Sequence, residues 1–262
     1  MNRITSILAF FVLFTGFAKF THGQNELYDT PLVVYDNMMF GRAFIHSNGF
    51  GAGFTYGKFQ DPHHIRSWGV ELLTIKHEKE HKRYNDYYDY YKDAKGFVYG
   101  KLNSFFLLRP TMGRRIVITD KLRFKGVEFG HHFEFGPSVG FTKPVYLEIA
   151  TPNVNLIDAV LSIEKYDPDV HDLNEIYGRA SNFRGFNELS VHPGLHFKYG
   201  LNFDYSNYKD GIKGLEIGVA LDAYLNEIEI MAEDVYGIGG AENKQLFVNL
   251  YLNFFFGRKS SI

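Results

Sequence analysis

The residues His77-Glu78-Lys79-Glu80-His81 match the H-E-x-x-H spacing of zinc proteases. That chemistry needs a helix, where positions i and i+4 share a face, the glutamate serves as general base, and a third ligand comes from elsewhere. Here the preceding residues alternate with period two, and 81–93 form a polar, Tyr-rich stretch, so a charged strand end running into a surface loop is expected. The adjacent pairs His63-His64 and His131-His132 invite a metal reading. Strand neighbours point to opposite faces, however, so each pair can offer only one imidazole to a given site. Gly49-x-Gly51-x-Gly53 looks like a phosphate loop but lacks the strand-to-helix setting; on the inner face of a sheet such glycines make room for bulky neighbours. His132, Glu134 and Ser138 fall on one face, yet His132 and Ser138 lie about 20 Å apart at roughly 3.3 Å per residue, too far for a direct triad. No catalytic, cofactor-binding or metal-binding residue is therefore assigned, and no cofactor is expected.

The elements that would position these groups are suggested first by composition. The 262 residues include 26 Phe, 18 Tyr and 26 Gly with a single Trp, and mean hydropathy is only −0.21. Many aromatics without overall hydrophobicity is what alternating strands produce. Residues 1–23 read as a secretory leader: Arg3 supplies positive charge, 4–18 is mostly apolar, and Thr21-His22-Gly23 resembles a cleavage site, with the mature start at Gln24. Zero cysteines exclude disulfides, thiolate metal sites, cysteine nucleophiles and a lipid anchor on cysteine. Removing the leader lowers Lys+Arg from 28 to 26 against 30 acids, moving the net charge from −2 to −4 and giving no footprint for nucleic acid. Beyond the leader no run of about 18 apolar residues exists, so any membrane crossing must use strands.

The clearest strand is 246–256. Leu246, Val248, Leu250, Leu252, Phe254 and Phe256 make one wholly apolar face; Phe247, Asn249, Tyr251, Asn253 and Phe255 make the other. Eleven residues match the roughly 9 to 11 that a tilted strand needs to cross hydrocarbon. The same alternation, with a more polar second face, occupies 195–205, 215–225 and 128–141, where Pro137 predicts a bulge or irregularity because it cannot donate to a ladder. Further strands are expected near 37–47, 49–60, 67–78 and 102–114. Eight strands with short connections at 61–66, 115–127 and 207–213 and long ones at 79–101, 143–192 and 226–244 predict an all-β, antiparallel transmembrane β-barrel with long extracellular loops. The longest loop has room for a further hairpin or a short helix over 156–166, which leaves ten strands open.

The alternation points Glu71, Glu128, Glu134, Asp204, Glu216 and Asp222 inward together with Arg42, Arg109, Lys198, His132 and His196. Buried charges survive when paired, and an eight-stranded barrel is just wide enough for side chains to fill. An ion-paired plug is the expected interior, with a narrow polar conduit or a catalytic cleft as the alternatives. The cluster Tyr84, Tyr87, Tyr88, Tyr90 and Tyr91 suits either a recognition surface or an interfacial girdle.

Lys143-Pro144-Val145-Tyr146-Leu147-Glu148-Ile149, Gly178-Arg179-Ala180-Ser181, Phe183-Arg184-Gly185-Phe186-Asn187-Glu188 and the aromatic last strand resemble small outer-membrane barrel proteins of the Bacteroidota over about 97–257. The resemblance implies fold and location and no reaction. A departure is the tail Gly257–Ile262 after Phe256, since such barrels commonly end on an aromatic residue. The expectation is a non-enzymatic outer-membrane barrel acting as a structural or accessory subunit of a larger assembly, touching lipid and, through its long loops, other outer-membrane proteins. Its alternatives are a narrow pore or small-solute binder and an enzyme acting on outer-leaflet lipid.

Overall fold

The computed structural model describes residues 35–85, 94–121, 126–151, 160–206, 210–233 and 241–261. The leader at 1–23, the start at Gln24 and the tyrosines Tyr87, Tyr88, Tyr90 and Tyr91 lie outside them. The strands are β1 (Asn37–His46), β2 (Gly49–Phe59), β3 (His64–Ile75), β4 (Lys82–Arg83), β5 (Phe97–Val98), β6 (Asn103–Thr119), β7 (Glu128–Pro144), β8 (Tyr146–Thr151), β9 (Val160–Lys165), β10 (Ile176–Arg179), β11 (Ser190–Asp204), β12 (Gly211–Ile228) and β13 (Lys244–Ser260). Eight of them close an antiparallel barrel in the order β1-β13-β12-β11-β7-β6-β3-β2. The ring is sealed where β1 meets β13, from Asn37↔Ser260 to His46↔Tyr251.

Each strand expected from alternation is present, with shifted ends. β3 spans 64–75 rather than 67–78, so the H-E-x-x-H segment falls beyond it in a turn, with no helix to align His77 and His81. β6 continues to Thr119, past the expected end at 114. The expected tail is corrected too: residues 257–260 belong to β13 and pair with Phe40–Asn37 of β1, because the closing strand must match the whole length of its partner. At Pro137 no bulge forms. Pro110 of β6 stands in register with Pro137, pairing lapses between Leu108↔Val139 and Met112↔Phe135, and the same register resumes. Two residues without N–H groups face each other there, so the ladder loses hydrogen bonds without shifting.

Connections alternate in length around the barrel. Those at 60–63, 120–127 and 205–210 are short and share an end with Asn37 and Ser260; those at 76–102, 145–189 and 229–243 are long and lie at the other, with a two-residue turn at Ser47-Asn48. The longest connection holds the hairpin β8–β9, with strand rather than helix over 160–165; 156–159 of the expected helix lie outside the described residues. With β10 the hairpin forms a three-stranded sheet in the order β10-β8-β9, outside the barrel, so the barrel keeps eight strands. Phe97, Val145, Leu147, Ile149, Tyr166 and Ile176 form the core of this loop layer. Burial pushes the Tyr166 phenol up to about 12, so it stays neutral there.

Outward positions of the barrel are apolar over a continuous band: Phe50 and Phe54, Val70 and Leu72, Phe135, Leu195 and Phe197, Ile217 and Val219, and the alternate residues of β13 from Leu246 to Phe256. Outward cations gather at the short-turn edge, where Lys58, Arg66 and Arg114 stand side by side on β2, β3 and β6. Leu250 is 67% exposed and Asn249 1%. Leu250→Arg is therefore expected to impair assembly strongly, since a cation near mid-depth costs roughly 2 to 4 kcal/mol, whereas Asn249→Gln should be mild. Folding yield into lipid vesicles, read from heat-modifiable gel mobility, tests the pair; normal folding of Leu250→Arg alongside failure of Asn249→Gln would mean the faces are exchanged.

Candidate functional site

The inward side chains divide the lumen into three layers. At the short-turn end Met38, Phe40, Ile65, Val117, Ile212 and Phe255 pack together. At the loop end a larger cluster does the same, in which Phe44, Phe105, Tyr224 and Phe247 point in from the strands and Ile230, Met231 and Ala241 fold over from the connection before β13. Between these apolar layers lies most of the polar set predicted from alternation; Glu128 and Asp204 sit at the short-turn end. All eleven charged or histidine side chains assigned to the interior are buried.

Glu71 of β3 is the hub. Its carboxylate accepts from Lys198 Nζ at 2.9 Å and from Arg109 Nη1 at 3.4 Å, and lies 3.2 Å from Arg42 Nη1. Each cation reaches a second anion. Arg42 grips Glu134 with both terminal nitrogens, at 3.0 and 3.2 Å. Arg109 donates from Nε to Asp222 Oδ1 at 2.7 Å and makes a second contact from Nη2 to Oδ2 of the same carboxylate. Lys198 sits 3.3 Å from Glu216 Oε1, which also receives Asn253 Nδ2 at 3.2 Å. Lys198 Nζ lies 4.3 Å from the centre of the Tyr251 ring, so its charge meets a π face as well as two carboxylates.

One member was not legible beforehand. Arg115 falls beyond the expected end of β6 yet is buried, donating from Nε to Asn202 Oδ1 at 3.0 Å with its guanidinium 4.7 Å from the centre of the Phe255 ring. The alternation of inward Arg115 and Val117 with outward Ile116 and Ile118 carried the signal. With Arg115 included, four cations (Arg42, Arg109, Arg115, Lys198) share the sealed middle layer with four carboxylates (Glu71, Glu134, Glu216, Asp222). Glu128 and Asp204, nearer the short-turn end, pair with Lys259 at 3.1 Å and Lys121 at 2.8 Å. Inward glycines supply space for these long side chains: a Cβ at Gly200 would stand 2.3 Å from the Tyr251 hydroxyl and 2.7 Å from His132 Cε1. Gly51 likewise leaves room for Phe44 and Leu73, so the glycine run of β2 is a packing feature.

The residues considered for chemistry are held apart. Ser138 Oγ lies 2.8 Å from the Tyr224 hydroxyl, and His132 faces Glu216 at 3.4 Å. His131 points outward from the same strand, its ring 5.9 Å from Tyr199, as opposite faces require. His63 and His64 pair separately with Asp120 at 3.0 Å and Asp61 at 2.9 Å on the surface. In the H-E-x-x-H segment His77 Nε2 donates to the Glu242 carbonyl at 3.0 Å, Glu78 pairs with Lys244 at 2.8 Å, and Glu80 binds Lys101 at 2.5 Å. Among the described residues no group of three or more His, Asp or Glu is placed to hold a metal ion.

No protein-family model and no curated protein matches the chain. Among solved structures it is similar to Neisserial surface protein A (NspA), at 8% identity over 86% of this chain and 97% of that one, with a TM-score of 0.39. It is similar also to Ail, the attachment invasion locus protein of Yersinia pestis, at 6% identity over 86% and 99%, TM-score 0.36. A third is the N-terminal β-barrel domain of Pseudomonas aeruginosa OprF, at 9% identity over 85% and 100%, TM-score 0.32. At such identities function has to be read from the chain's own residues.

Because Glu71 balances three buried cations, Glu71→Gln is expected to destabilise the folded barrel by about 3 to 5 kcal/mol, the range for leaving a buried charge unpaired. Adding Lys198→Met should restore much of that loss. Urea titration in vesicles reads both; equal stability of wild type and Glu71→Gln would show that the hub does not hold the lumen together.

Proposed function

We propose that this chain is an outer-membrane β-barrel, exported by the leader at 1–23, that acts as a non-enzymatic structural or accessory subunit of a larger outer-membrane assembly. The observation that carries this reading is the sealed lumen: two apolar layers enclose a charge-balanced network, so the barrel's working surfaces are its outside and its loops. The continuous outward apolar band supports placement in lipid, because the closed ladder leaves no open strand edge and the charged side chains of the strands' inner faces turn inward. The alternation of short and long connections supports an orientation with the short turns in the periplasm, and the resemblance of 143–149, 178–181 and 183–188 to Bacteroidota barrels fits that compartment.

The loop layer supports the subunit role. β9 is an edge of its three-stranded sheet, and Leu161 and Ile163 on it are exposed although they lie outside the barrel band. Phe183, in the same connection, is 85% exposed. A sheet edge with apolar side chains is a template for a partner strand. Tyr84, the described member of the Tyr-rich cluster, is exposed too, with Lys82 Nζ 5.0 Å from its ring centre.

In membrane fractionation the mature protein should begin at Gln24 and sediment with the outer membrane, and affinity purification after detergent extraction should recover a membrane partner that Ile163→Lys loses while the barrel still folds. Recovery as a soluble periplasmic protein would overturn the location, and a monodisperse barrel without partners would overturn the subunit role. Reconstituted in planar bilayers, the purified chain should show no steady conductance, since side chains fill an eight-stranded barrel; reproducible channels of defined size would favour the pore instead.

A further inference from the structure

Above the aromatic edge of the outward band the barrel and its loop layer enclose a cavity of about 300 Å³, at the small end of the range for ligand sites. Its lining brings together Lys76, Lys82, Lys101, Lys143 and Arg179 with one acid, Glu80. Among the described residues only Lys101 of these five has a carboxylate partner, Glu80 at 2.5 Å. Lys143 donates to the Arg184 carbonyl at 3.0 Å, and its ammonium lies 5.5 Å from the centre of the Phe186 ring. Among the described residues the lining thus has four more cations than acids, whereas the sealed lumen is balanced.

The placement is specific. Ser104 of β6, which also lines the cavity, pairs with Lys143 of β7, and one step nearer the barrel's middle on the same outward face Phe106 pairs with Phe141. Those two rings stack at 5.3 Å between centres, and Phe186 packs on Phe106 at 6.3 Å. Lys143 therefore stands next to a cluster of three aromatic rings at the edge of the apolar band. Arg179 and Ser181 arrive from the end of β10, and Tyr146 from β8, so segments distant in sequence converge here.

We propose that this cavity binds a phosphorylated glycan headgroup. Several cations around one small space, four of them without a carboxylate partner among the described residues, match a group with up to two charges and three strong acceptor oxygens. The Ser104 and Ser181 hydroxyls and the Asn182 amide offer partners for sugar hydroxyls. The headgroup could belong to a glycolipid of the outer leaflet or to a free phosphosugar; the phosphate chemistry rests on the cavity alone, while the lipid source rests on the membrane placement proposed above.

The test uses the full chain folded in detergent micelles, titrated calorimetrically with glucose 1-phosphate and, as controls, glucose and glucuronate. Glucose 1-phosphate should bind and the controls should not. Lys143→Gln and Arg179→Gln should each weaken binding by about tenfold, as expected for loss of one charge-assisted hydrogen bond, while Lys143→Arg retains it. Gel mobility confirms folding of each variant, and Lys76→Gln, at an exposed position, replaces any that fails. In nanodiscs of phosphatidylcholine, added lipid A should raise the unfolding temperature of the wild type and not of Lys143→Gln if the source is a lipid; binding in micelles without that rise assigns a soluble phosphosugar. Equal binding of glucose or glucuronate, or full affinity in the Lys143→Gln/Arg179→Gln double variant, would overturn the site. A chain that binds in micelles but does not insert in nanodiscs would overturn the membrane placement and leave the site standing.

Discussion

The pairing of β1 with β13 is the constraint on which everything else depends. Once Asn37 to His46 lie against Ser260 to Tyr251, no strand edge of the barrel remains open and every residue is committed to one of two sides. One face of each strand then enters a space too narrow for bulk water, and the other meets whatever surrounds the barrel. The same alternation that exposes Leu250 buries Asn249, and the same closure that removes edges forces charged residues to find partners within the ring.

Charge neutrality of the interior is a consequence of that confinement. A carboxylate such as Glu71, with no exposure to solvent, is tolerable only because three cations surround it. A network of this kind adds little net stability compared with apolar packing, but it fixes which strand lies where, since Arg42 finds Glu71 and Glu134, and Arg109 finds Asp222, only in one register. Apolar layers above and below exclude competing solvent and strengthen each contact. The lumen is thus a device for specifying the barrel, which leaves its loops and outer surface free for interaction.

Much of this was legible in the sequence because a two-residue period survives almost undisturbed through every barrel strand. The faces of 246–256 and the inward set from Arg42 to Asp222 follow from alternation alone. Strand ends were less legible: Arg115 and residues 257–260 lie where the apolar face gives way to cations, and charge there looks like a loop although the ladder continues. The loop layer was the least legible. Nothing local to 146–179 says that β8 pairs with both β9 and β10, or that Lys143 and Arg179 will share a cavity with Lys101, because those associations depend on where the barrel brings the ends of β6 and β7. The H-E-x-x-H spacing shows the opposite limit, in which a pattern had the right residues and the wrong backbone.

The separation in sequence of the interior's partners bears on how the barrel forms. Arg42 lies 92 residues from Glu134, Arg109 lies 113 from Asp222, and Lys198 lies 127 from Glu71. Non-local contacts of this kind make folding slow, because loop-closure entropy is lost before the contacts that offset it exist. A partial ring of β1 to β7 would carry Arg109 without Asp222 and Glu71 without Lys198, so half-built barrels strand charges in an apolar setting. Assembly is thereby pushed toward a single cooperative event, with the last strand completing the ladder and the interior ion pairs together.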